Sequence, residues 1–465
     1  MEELGLSRRI ARHIVQTGYT QLPPMTVAAT KASLLDALGV MMAATTLGEG
    51  TQAFADLAID AGGPAESVLI GRGRRVPMLM AALANGALAH AIDFEDGHDA
   101  APVHPNAAQI PAALALAQAH GLDDGRNLLA ALAIGCDLSC RLGLALRTDP
   151  ASLGWYPPPI LGAFGALAAC SKLLNLDERQ IVDAMSLLLC SATCSGEIKY
   201  APRSEIRAVR DAFPAQAALQ AVLLAKRGVS GFDAPLEGRA GLFEMYANGD
   251  YDRDRLQDDL GTRFEGDRLT FKAWPSCRGT HAFIEAALAI RAELGGASAS
   301  VASIELIGHP VMRMLDEPRA AKRAPATAID GKFSAPYCVA TAWLDGEITL
   351  DSFSPSARIR ADTAALADRT SFSVIDGVDA DAIAGGGITV RLSDGRSATR
   401  FIAEPLGHPA NPIGSGALAA KFRSCAALAQ SPLGPAACDR IVEAIAILEQ
   451  RGTMAMLDEL DRPLR

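Results

Sequence analysis

Apolar residues recur every three or four positions along most of the first 260 residues, which is the spacing of one helix face. In residues 26–44, for example, Leu34, Leu38 and Met42 follow this spacing. Residues 128–134 are apolar on every side, so we expect their helix at the centre of a bundle. The same pattern predicts helices at residues 78–91, 105–120, 125–142, 161–174, 177–190 and 211–227.

The pattern changes near Phe264, where alternation and β-branched residues indicate strands. Predicted strands lie at residues 302–307, 357–361, 388–392 and 399–403, and the dipeptide Asp394-Gly395 predicts a hairpin between the last two. Helices are predicted between and after the strands at residues 280–294, 334–343, 417–427 and 439–448. We therefore predict a mainly α protein. Residues 1–265 and 406–465 form a large, discontinuous all-helical domain, and residues 266–405 form an inserted α+β lid domain.

Composition narrows the possible partners. The chain has 465 residues, 49% of them hydrophobic and 21% charged, which is typical of a globular protein. Its net charge of −10 argues against binding to nucleic acid or an anionic membrane. Residues 1–20 lack a hydrophobic signal core, and the nine scattered cysteines fit a reducing compartment. We expect a cytoplasmic protein without a membrane-spanning segment.

The densest polar cluster lies at residues 90–104 and holds three of the eight histidines. A metal site could use His90, Asp93, His98 and His104. A metal-free acid–base site could use Asp93 and His104, and a third interpretation is a cap for the helix that follows. Because no H-x-x-x-H or C-x-x-C motif accompanies the cluster, the metal site is the least favoured of the three.

Basic residues follow in a second segment, residues 195–211. Arg203, Arg207 and Arg210 share one face if this stretch is helical, and Lys199 precedes them. Guanidinium groups bind carboxylates through two N–H bonds, so the stripe could hold a dicarboxylate or tricarboxylate. The alternative is a solvated face paired with nearby acids, which spacing alone favours.

Two further segments mix polar residues into helix starts. In residues 271–281, Thr280 is a fair helix cap, and anions are attracted to such a helix start. An ordinary capped turn is the alternative there. In residues 330–340, Tyr337 opens an apolar helix, where a core tyrosine with a satisfied hydroxyl is the simpler interpretation.

Together these segments resemble the MmgE/PrpD family. The matching stretches come in family order over nearly the whole chain: Asn85-Gly86, His90, Asp93-Phe94-Glu95-Asp96, His104-Pro105, Lys272, Pro275-Ser276-Cys277-Arg278-Gly279-Thr280-His281, Lys332-Phe333-Ser334-Ala335-Pro336-Tyr337, Asn411-Pro412 and Lys421-Phe422. The resemblance implies an enzyme that needs no cofactor, is usually a homodimer and acts on small polycarboxylates.

The resemblance also implies site residues. Asp93 and His104 match positions that line the family's cleft, Lys272 matches a substrate-binding lysine, and Tyr337 matches a tyrosine facing the same cleft. We therefore expect the catalytic residues Asp93, His104, Tyr156, Lys199 and Lys272. We expect the substrate-binding residues Arg203, Cys277, Arg278, His281 and Tyr337, and no metal ion.

Two departures from the family pattern bear on the reaction. Cys277 stands where the decarboxylase of the family has a histidine, and Tyr156 takes the place of the common Phe-His pair. Activities in the family include 2-methylcitrate dehydratase, cis-aconitate decarboxylase and iminodisuccinate epimerase. Because both departures point away from the lyases, our first prediction is epimerisation of iminodisuccinate, followed by a 2-methylcitrate dehydratase-like lyase and then cis-aconitate decarboxylation. A non-catalytic polycarboxylate-binding protein is the alternative of another class.

Overall fold

The computed structural model describes residues 5–148, 152, 154–201, 204–296, 300–375 and 384–461. Twenty-two α-helices and eight short β-strands lie in these residues, so the predicted mainly α fold is confirmed. The helices are α1 (Leu6–Gln16), α2 (Pro24–Leu47), α3 (Thr51–Asp60), α4 (Met78–Ala89), α5 (Pro105–His120), α6 (Gly125–Leu144), α7 (Pro157–Leu173), α8 (Glu178–Leu188), α9 (Ile206–Val209), α10 (Ala212–Lys226), α11 (Leu242–Ala247), α12 (Arg253–Gln257), α13 (His281–Leu294), α14 (Arg319–Arg323), α15 (Ala328–Lys332), α16 (Ala335–Asp345), α17 (Pro355–Arg358), α18 (Ala361–Ala367), α19 (Ser415–Ala426), α20 (Pro435–Ala446), α21 (Leu448–Arg451) and α22 (Met454–Asp461).

Helices α5, α6 and α7 pack against one another at the centre of the helical part. Residues 128–134 of α6 are buried on every side, as their uniformly apolar sequence predicts. Late in the chain, α19 returns to pack on α2. The C-terminal helices therefore belong to the same packed body as the N-terminal ones.

Helices α2 and α6 are long and apolar enough to cross a membrane, judged by length and composition. From the sequence we expected no such stretch, because we considered only uninterrupted apolar runs. In their most apolar windows, 67% of α2 and 89% of α6 is buried inside the protein, which is the situation of core helices in a soluble protein. The cytoplasmic location, the homodimer and the absence of nucleic-acid and membrane partners remain predictions.

The strands form three small sheets. They are β1 (Ser67–Leu69), β2 (Arg74–Val76), β3 (Gly97–His98), β4 (Leu269–Thr270), β5 (Val301–Gly308), β6 (Thr370–Val374), β7 (Gly386–Leu392) and β8 (Ser397–Ile402). The largest sheet has the order β6-β5-β7-β8, in which β5 and β6 are parallel and the other pairs antiparallel. Helix α13 packs on β7 and β8. The predicted hairpin is confirmed, with Gly395 at a φ of 90° in its turn.

One predicted strand is wrong. Residues 357–361 end α17 and begin α18, because the Ser354 side chain caps α17 and Pro355 occupies its first position. Strand β6, which we did not predict, forms the edge of the sheet, where most of its side chains remain partly or fully exposed. Every strand of the largest sheet lies inside the segment predicted as α+β insert, while the domain boundaries at 265 and 406 remain predictions.

Candidate active site

The loop between α4 and α5 carries the predicted polar cluster, and most of it is buried. Helix α4 ends at Ala89, and α5 begins at Pro105, a residue whose fixed φ suits a first helical position. Strand β3, inside this loop, pairs with β4. Because Lys272 follows β4 by two residues, the pairing brings it beside Asp93, 179 positions away in the sequence.

Lys272 and Asp93 form a buried ion pair. Nζ of Lys272 lies 2.5 Å from Oδ1 of Asp93 and 3.1 Å from its carbonyl oxygen. Asp93 has a left-handed φ of 49°, and its N–H donates to the His90 carbonyl at 2.8 Å. Although burial disfavours the ammonium ion, Asp93 and Glu95 raise the pKa of Lys272 above its ordinary value. The ammonium group is therefore charged and already held by a carboxylate.

Glu95 orients His104. Oε1 of Glu95 lies 2.9 Å from Nδ1 of His104, and the Asp96 carbonyl lies 3.0 Å from the same nitrogen. Both neighbours are acceptors, so Nδ1 carries a proton, and Nε2 is the ring nitrogen that neither of them engages. His104 is the partly exposed member of the buried cluster and lines the cleft described below. The sequence brought Glu95 into the matched stretch, but we did not predict it as a site residue.

A set of four side chains has spacing that a metal ion could use. Each offers one ligand atom, and these atoms lie within 4.8 Å of one another: His90, Asp93, Glu95 and His104. The Lys272 ammonium already binds the Asp93 carboxylate, and Nδ1 of His90 bonds to Glu95. Burial and the neighbouring Arg210 lower the pKa of His90 to about 3, so this ring is neutral. Because Lys272 already supplies a positive charge to the set, the contacts favour a metal-free acid–base site.

The predicted arginine stripe does not form an exposed helix face. Helix α9 is only four residues long, and both Arg207 and Arg210 are buried. The guanidinium carbon of Arg207 lies 3.5 Å from the ring centroid of Phe333 and 5.8 Å from that of Tyr156. Neither Nε nor Nη2 of Arg207 donates a hydrogen bond to any residue that the structure describes. Both nitrogens are buried from solvent, while Arg207 as a residue lines the cleft, so its guanidinium group is a candidate for binding a carboxylate. We named Arg207 only as part of the stripe.

Asn85 and Gly86 have structural roles at two different contacts of α4. Oδ1 of Asn85 accepts a hydrogen bond from the Ile70 N–H at 3.0 Å, and its Nδ2 donates to the Val68 carbonyl at 2.9 Å. A Cβ atom at Gly86 would lie 2.7 Å from the carbonyl oxygen of Asp211. The glycine therefore allows the chain just after Arg210 to pack directly on α4.

Arg278 lines the cleft, but its donors are already used. Nε and Nη2 each lie 3.0 Å from the Asp99 carboxylate, while Nη1 and Nη2 donate to the carbonyls of Leu406 and Pro405. His281 is buried, with Nδ1 3.4 Å from Nη1 of Arg278, and burial together with Arg278 lowers the pKa of His281 well below its ordinary value. These contacts give Arg278 and His281 a structural role, because they connect three segments of the chain. Substrate binding by the two residues stays a prediction.

Tyr337 does not reach the cleft. Its hydroxyl donates to the Ser352 carbonyl at 2.6 Å, and its ring packs on Phe353 with centroids 6.0 Å apart. Burial raises the pKa of Tyr337 to about 12. These contacts are those of a core tyrosine, and substrate binding by Tyr337 stays a prediction that they do not support.

The remaining predicted residues divide into two groups. Tyr156, Lys199 and Cys277 line the cleft, with Nζ of Lys199 5.6 Å from the ring centroid of Tyr200. Burial and the neighbouring Asp93 raise the pKa of Cys277, which keeps it a thiol. Arg203 lies outside the described residues.

These side chains surround a cleft of about 960 Å³. One wall comes from the loops before α5, α7 and α9, and the other from the residues that follow β4 and β5. The charged, histidine and tyrosine residues that line it are Asp93, His98, Asp99, His104, Tyr156, Lys199, Tyr200, Arg207, Lys272, Arg278, Arg313 and Glu317. The structure thus brings together all five predicted catalytic residues at one cleft.

Lys421, from α19, holds the base of the site in place. Its Nζ donates to the carbonyls of Phe94 at 2.6 Å and Lys272 at 3.1 Å, and it lies 2.7 Å from Oδ1 of Asp36. The ammonium group also sits 3.7 Å from the ring centroid of Phe94. One lysine therefore fixes the backbone on both sides of the Asp93–Lys272 pair. We did not predict Lys421 as a site residue, although it falls in a matched stretch.

Asp96, next to this lysine network, gives a testable pH dependence. Burial and the neighbouring Asp36 raise the pKa of Asp96 to about 7. The folded protein then keeps a proton that an unfolded aspartate releases near pH 4, so the free energy of unfolding should fall as pH rises from about 4 to about 7. The contribution of this group is at most ~1.4 kcal/mol per pH unit. In Asp96→Asn this contribution to the pH dependence should be absent. Urea denaturation at a series of pH values measures it.

The control is Asp60→Asn, which alters an exposed carboxyl at the end of α3 and should leave the pH dependence unchanged. Equal slopes for the wild type and Asp96→Asn between pH 4.5 and 7 would contradict the assignment.

Comparison with known proteins finds matches along most of the chain. The model of the MmgE/PrpD N-terminal domain matches residues 8–254, and that of the MmgE/PrpD C-terminal domain matches residues 274–449. A cis-aconitate decarboxylase-like protein of Aspergillus oryzae is 27% identical over 84% of this chain and 83% of its own length. The cis-aconitate decarboxylase of Homo sapiens is 27% identical over 75% of this chain and 73% of its own length. The cis-aconitate decarboxylase of Aspergillus terreus is 25% identical over 74% of each chain.

Proposed function

The chain belongs to the MmgE/PrpD family, and from this membership we propose that it is a lyase that acts on a small polycarboxylate without a cofactor. Three relatives carry the name of a cis-aconitate decarboxylase or a protein like one, which favours a lyase over the epimerase that we expected first from the sequence. The observation that carries the proposal is His104, with Nδ1 held by Glu95 and Nε2 left for the cleft.

The proposed roles follow from the contacts. Arg207, which lines the cleft, binds one carboxylate of the substrate through its guanidinium group, whose Nε and Nη2 have no partner among the described residues. His104 transfers a proton at a carbon beside that carboxylate, and Glu95 offsets the positive charge that forms on the ring. Lys272, fixed by Asp93 and Lys421, supplies a stationary positive charge that stabilises negative charge developing on the substrate.

Two lyase reactions fit these groups. In a decarboxylation, the bond to the leaving carboxylate breaks, CO₂ departs, and the electron pair left on the carbon chain takes a proton from the His104 imidazolium. In a dehydration, neutral His104 removes the proton beside the carboxylate, the electron pair forms the alkene, and the resulting imidazolium gives that proton to the β-hydroxyl, which leaves as water. Both reactions need the same base or acid and the same carboxylate-binding arginine.

The test is turnover of cis-aconitate and 2-methylcitrate in deuterated water, followed by proton NMR and by absorbance of the alkene. We expect release of CO₂ from the first substrate or formation of an alkene from the second, with deuterium entering only at the protonated carbon. Binding of both compounds without turnover of either would contradict a lyase and favour the polycarboxylate-binding protein.

Epimerisation of iminodisuccinate is the second candidate, and Tyr156 favours it. Tyr156 lines the same cleft as His104, and the guanidinium carbon of Arg210 lies 5.2 Å from its ring centroid. Epimerisation needs two proton-transferring groups, one on each side of the carbon. Exchange of the α-hydrogen of iminodisuccinate for deuterium, lost in Tyr156→Phe, would support this reaction, and absence of exchange would exclude it.

Chelation tests the metal-free site. Because the Lys272 ammonium already binds Asp93 between the possible ligands, we expect kcat and KM to be unchanged after dialysis against EDTA followed by 1,10-phenanthroline. The same samples are analysed for bound metal before and after dialysis. Loss of activity that a divalent ion restores would contradict the acid–base interpretation.

A further inference from the structure

The wall of the cleft that faces the polar loops carries charged residues such as Arg313 and Glu317, but the stretch around them is mostly apolar. It includes a 3₁₀ helix at Pro310–Leu315 between β5 and α14. In a 3₁₀ helix, residues three positions apart lie on the same face. Met312 and Leu315 are buried and pack beside Gly279, where a Cβ atom would meet Leu315 at 2.8 Å. The other face is therefore left to Val311 and Met314.

All six residues of this 3₁₀ helix line the cleft, and Val311 and Met314 are its exposed large apolar residues. The exposed fractions are 50% for Val311 and 39% for Met314, and both residues line the cleft that also contains His104 and Arg207. Large apolar side chains left exposed together in a concave site mark a place where a ligand buries them. A carboxylate cannot do this, because leaving water for an apolar wall costs free energy without a compensating hydrogen bond.

The size of the cleft also fits a ligand larger than a simple tricarboxylate. Its volume of about 960 Å³ lies near the upper end of the roughly 300–1,000 Å³ that encloses drug-sized ligands. Further apolar lining comes from Pro157, Pro158 and Phe333. A tricarboxylate without a side chain offers only charged groups and a few carbons to this surface.

We propose that the substrate is a polycarboxylate that carries an alkyl chain of several carbons, and that Val311 and Met314 bind this chain. The carboxylates lie at Arg207 and His104, and the chain extends along the 3₁₀ helix. This inference rests on the proposed function, because it uses the same carboxylate-binding residues. It names a substrate class rather than a reaction, so it can be tested by binding alone.

The probes are succinate and its 2-methyl, 2-propyl and 2-hexyl derivatives, which undergo neither decarboxylation nor dehydration at these groups. We measure Kd by isothermal titration calorimetry on the full chain. Each added methylene should tighten binding about threefold to fourfold until the wall is covered. In the double variant Val311→Thr/Met314→Gln, which nearly keeps side-chain size, this gain should fall to less than twofold per methylene, while the Kd of succinate stays within twofold of the wild type.

The matched control is Phe401→Ser, which removes an exposed apolar side chain on β8 that does not line the cleft. It should keep the full chain-length dependence. Equal Kd values for succinate and 2-hexylsuccinate would overturn the proposal, and so would a chain-length dependence that the double variant leaves unchanged. If binding follows chain length but none of the alkyl-substituted tricarboxylates reacts, the lyase fails and the alkyl site stands.

Discussion

Replacing His104 by Asn should lower kcat by about 10²–10⁴-fold, the range typical of removing a general acid–base group. Nδ1 of His104 lies 2.9 Å from Glu95 and Nε2 is the ring nitrogen left for the substrate, so Asn keeps the polar contact to Glu95 but has no group that can carry the proton. The substrate binds mainly elsewhere, so KM should change by less than about threefold. The turnover test in deuterated water identifies the substrate, and initial rates measured with that substrate give kcat and KM.

The control is His120, the exposed last residue of α5, whereas His104 directly precedes the first residue of that helix. His120→Asn should retain full activity. The kcat of Glu95→Gln should lie between those of His104→Asn and His120→Asn, because Gln keeps the shape of the side chain but loses the charge that stabilises the protonated ring. A His104→Asn enzyme that keeps more than a tenth of the wild-type kcat would contradict the assignment of His104 as the proton-transferring residue.

Replacing Arg207 by Met should raise KM by about 100-fold or more, since it removes a buried charge that pairs with the substrate carboxylate. In the free enzyme, Nε and Nη2 of Arg207 have no partner among the described residues. The same change should therefore leave the free energy of unfolding unchanged or raise it by about 1 kcal/mol, because an uncompensated buried charge disappears. Met can still pack on Phe333, which Arg207 contacts at 3.5 Å.

Steady-state kinetics and urea denaturation on the same preparation separate the two effects. Arg74→Met alters an exposed arginine, the first residue of β2, and should change neither KM nor stability. Arg207→Lys should recover part of the affinity, because an ammonium group restores the charge without the paired donors. A loss of stability in Arg207→Met with KM unchanged would mean that Arg207 is structural.

The helices and the hairpin could be predicted because short-range patterns decide them. A face of apolar residues every three or four positions predicts α5 and α6, and Asp394-Gly395 predicts the turn between β7 and β8. Residues 357–361 failed because their alternation suggests a strand, whereas Ser354 and Pro355 start a helix just before them. The helix-starting signal of Ser354 and Pro355 therefore outweighs the alternation of apolar and polar residues that follows it.

The site could be predicted in part. Resemblance to a family gave the residues of the cleft, including Asp93, His104 and Lys272, but it could not say which cations are already paired. Arg278 and Arg207 look equivalent in the sequence. The structure separates them, because Asp99 and two carbonyls use the donors of Arg278 while two donors of Arg207 have no partner among the described residues. A local sequence pattern cannot reveal hydrogen-bond partners that lie more than a hundred residues apart in the chain.

The position of Lys421 has a consequence for synthesis of the protein on the ribosome. Lys421 holds the carbonyls of Phe94 and Lys272, yet it lies in α19, about 150 residues after Lys272. Helices translated first can collapse into a core, but the backbone around the Asp93–Lys272 pair lacks this support until α19 has emerged. We therefore expect a chain that stops before α19 to be inactive.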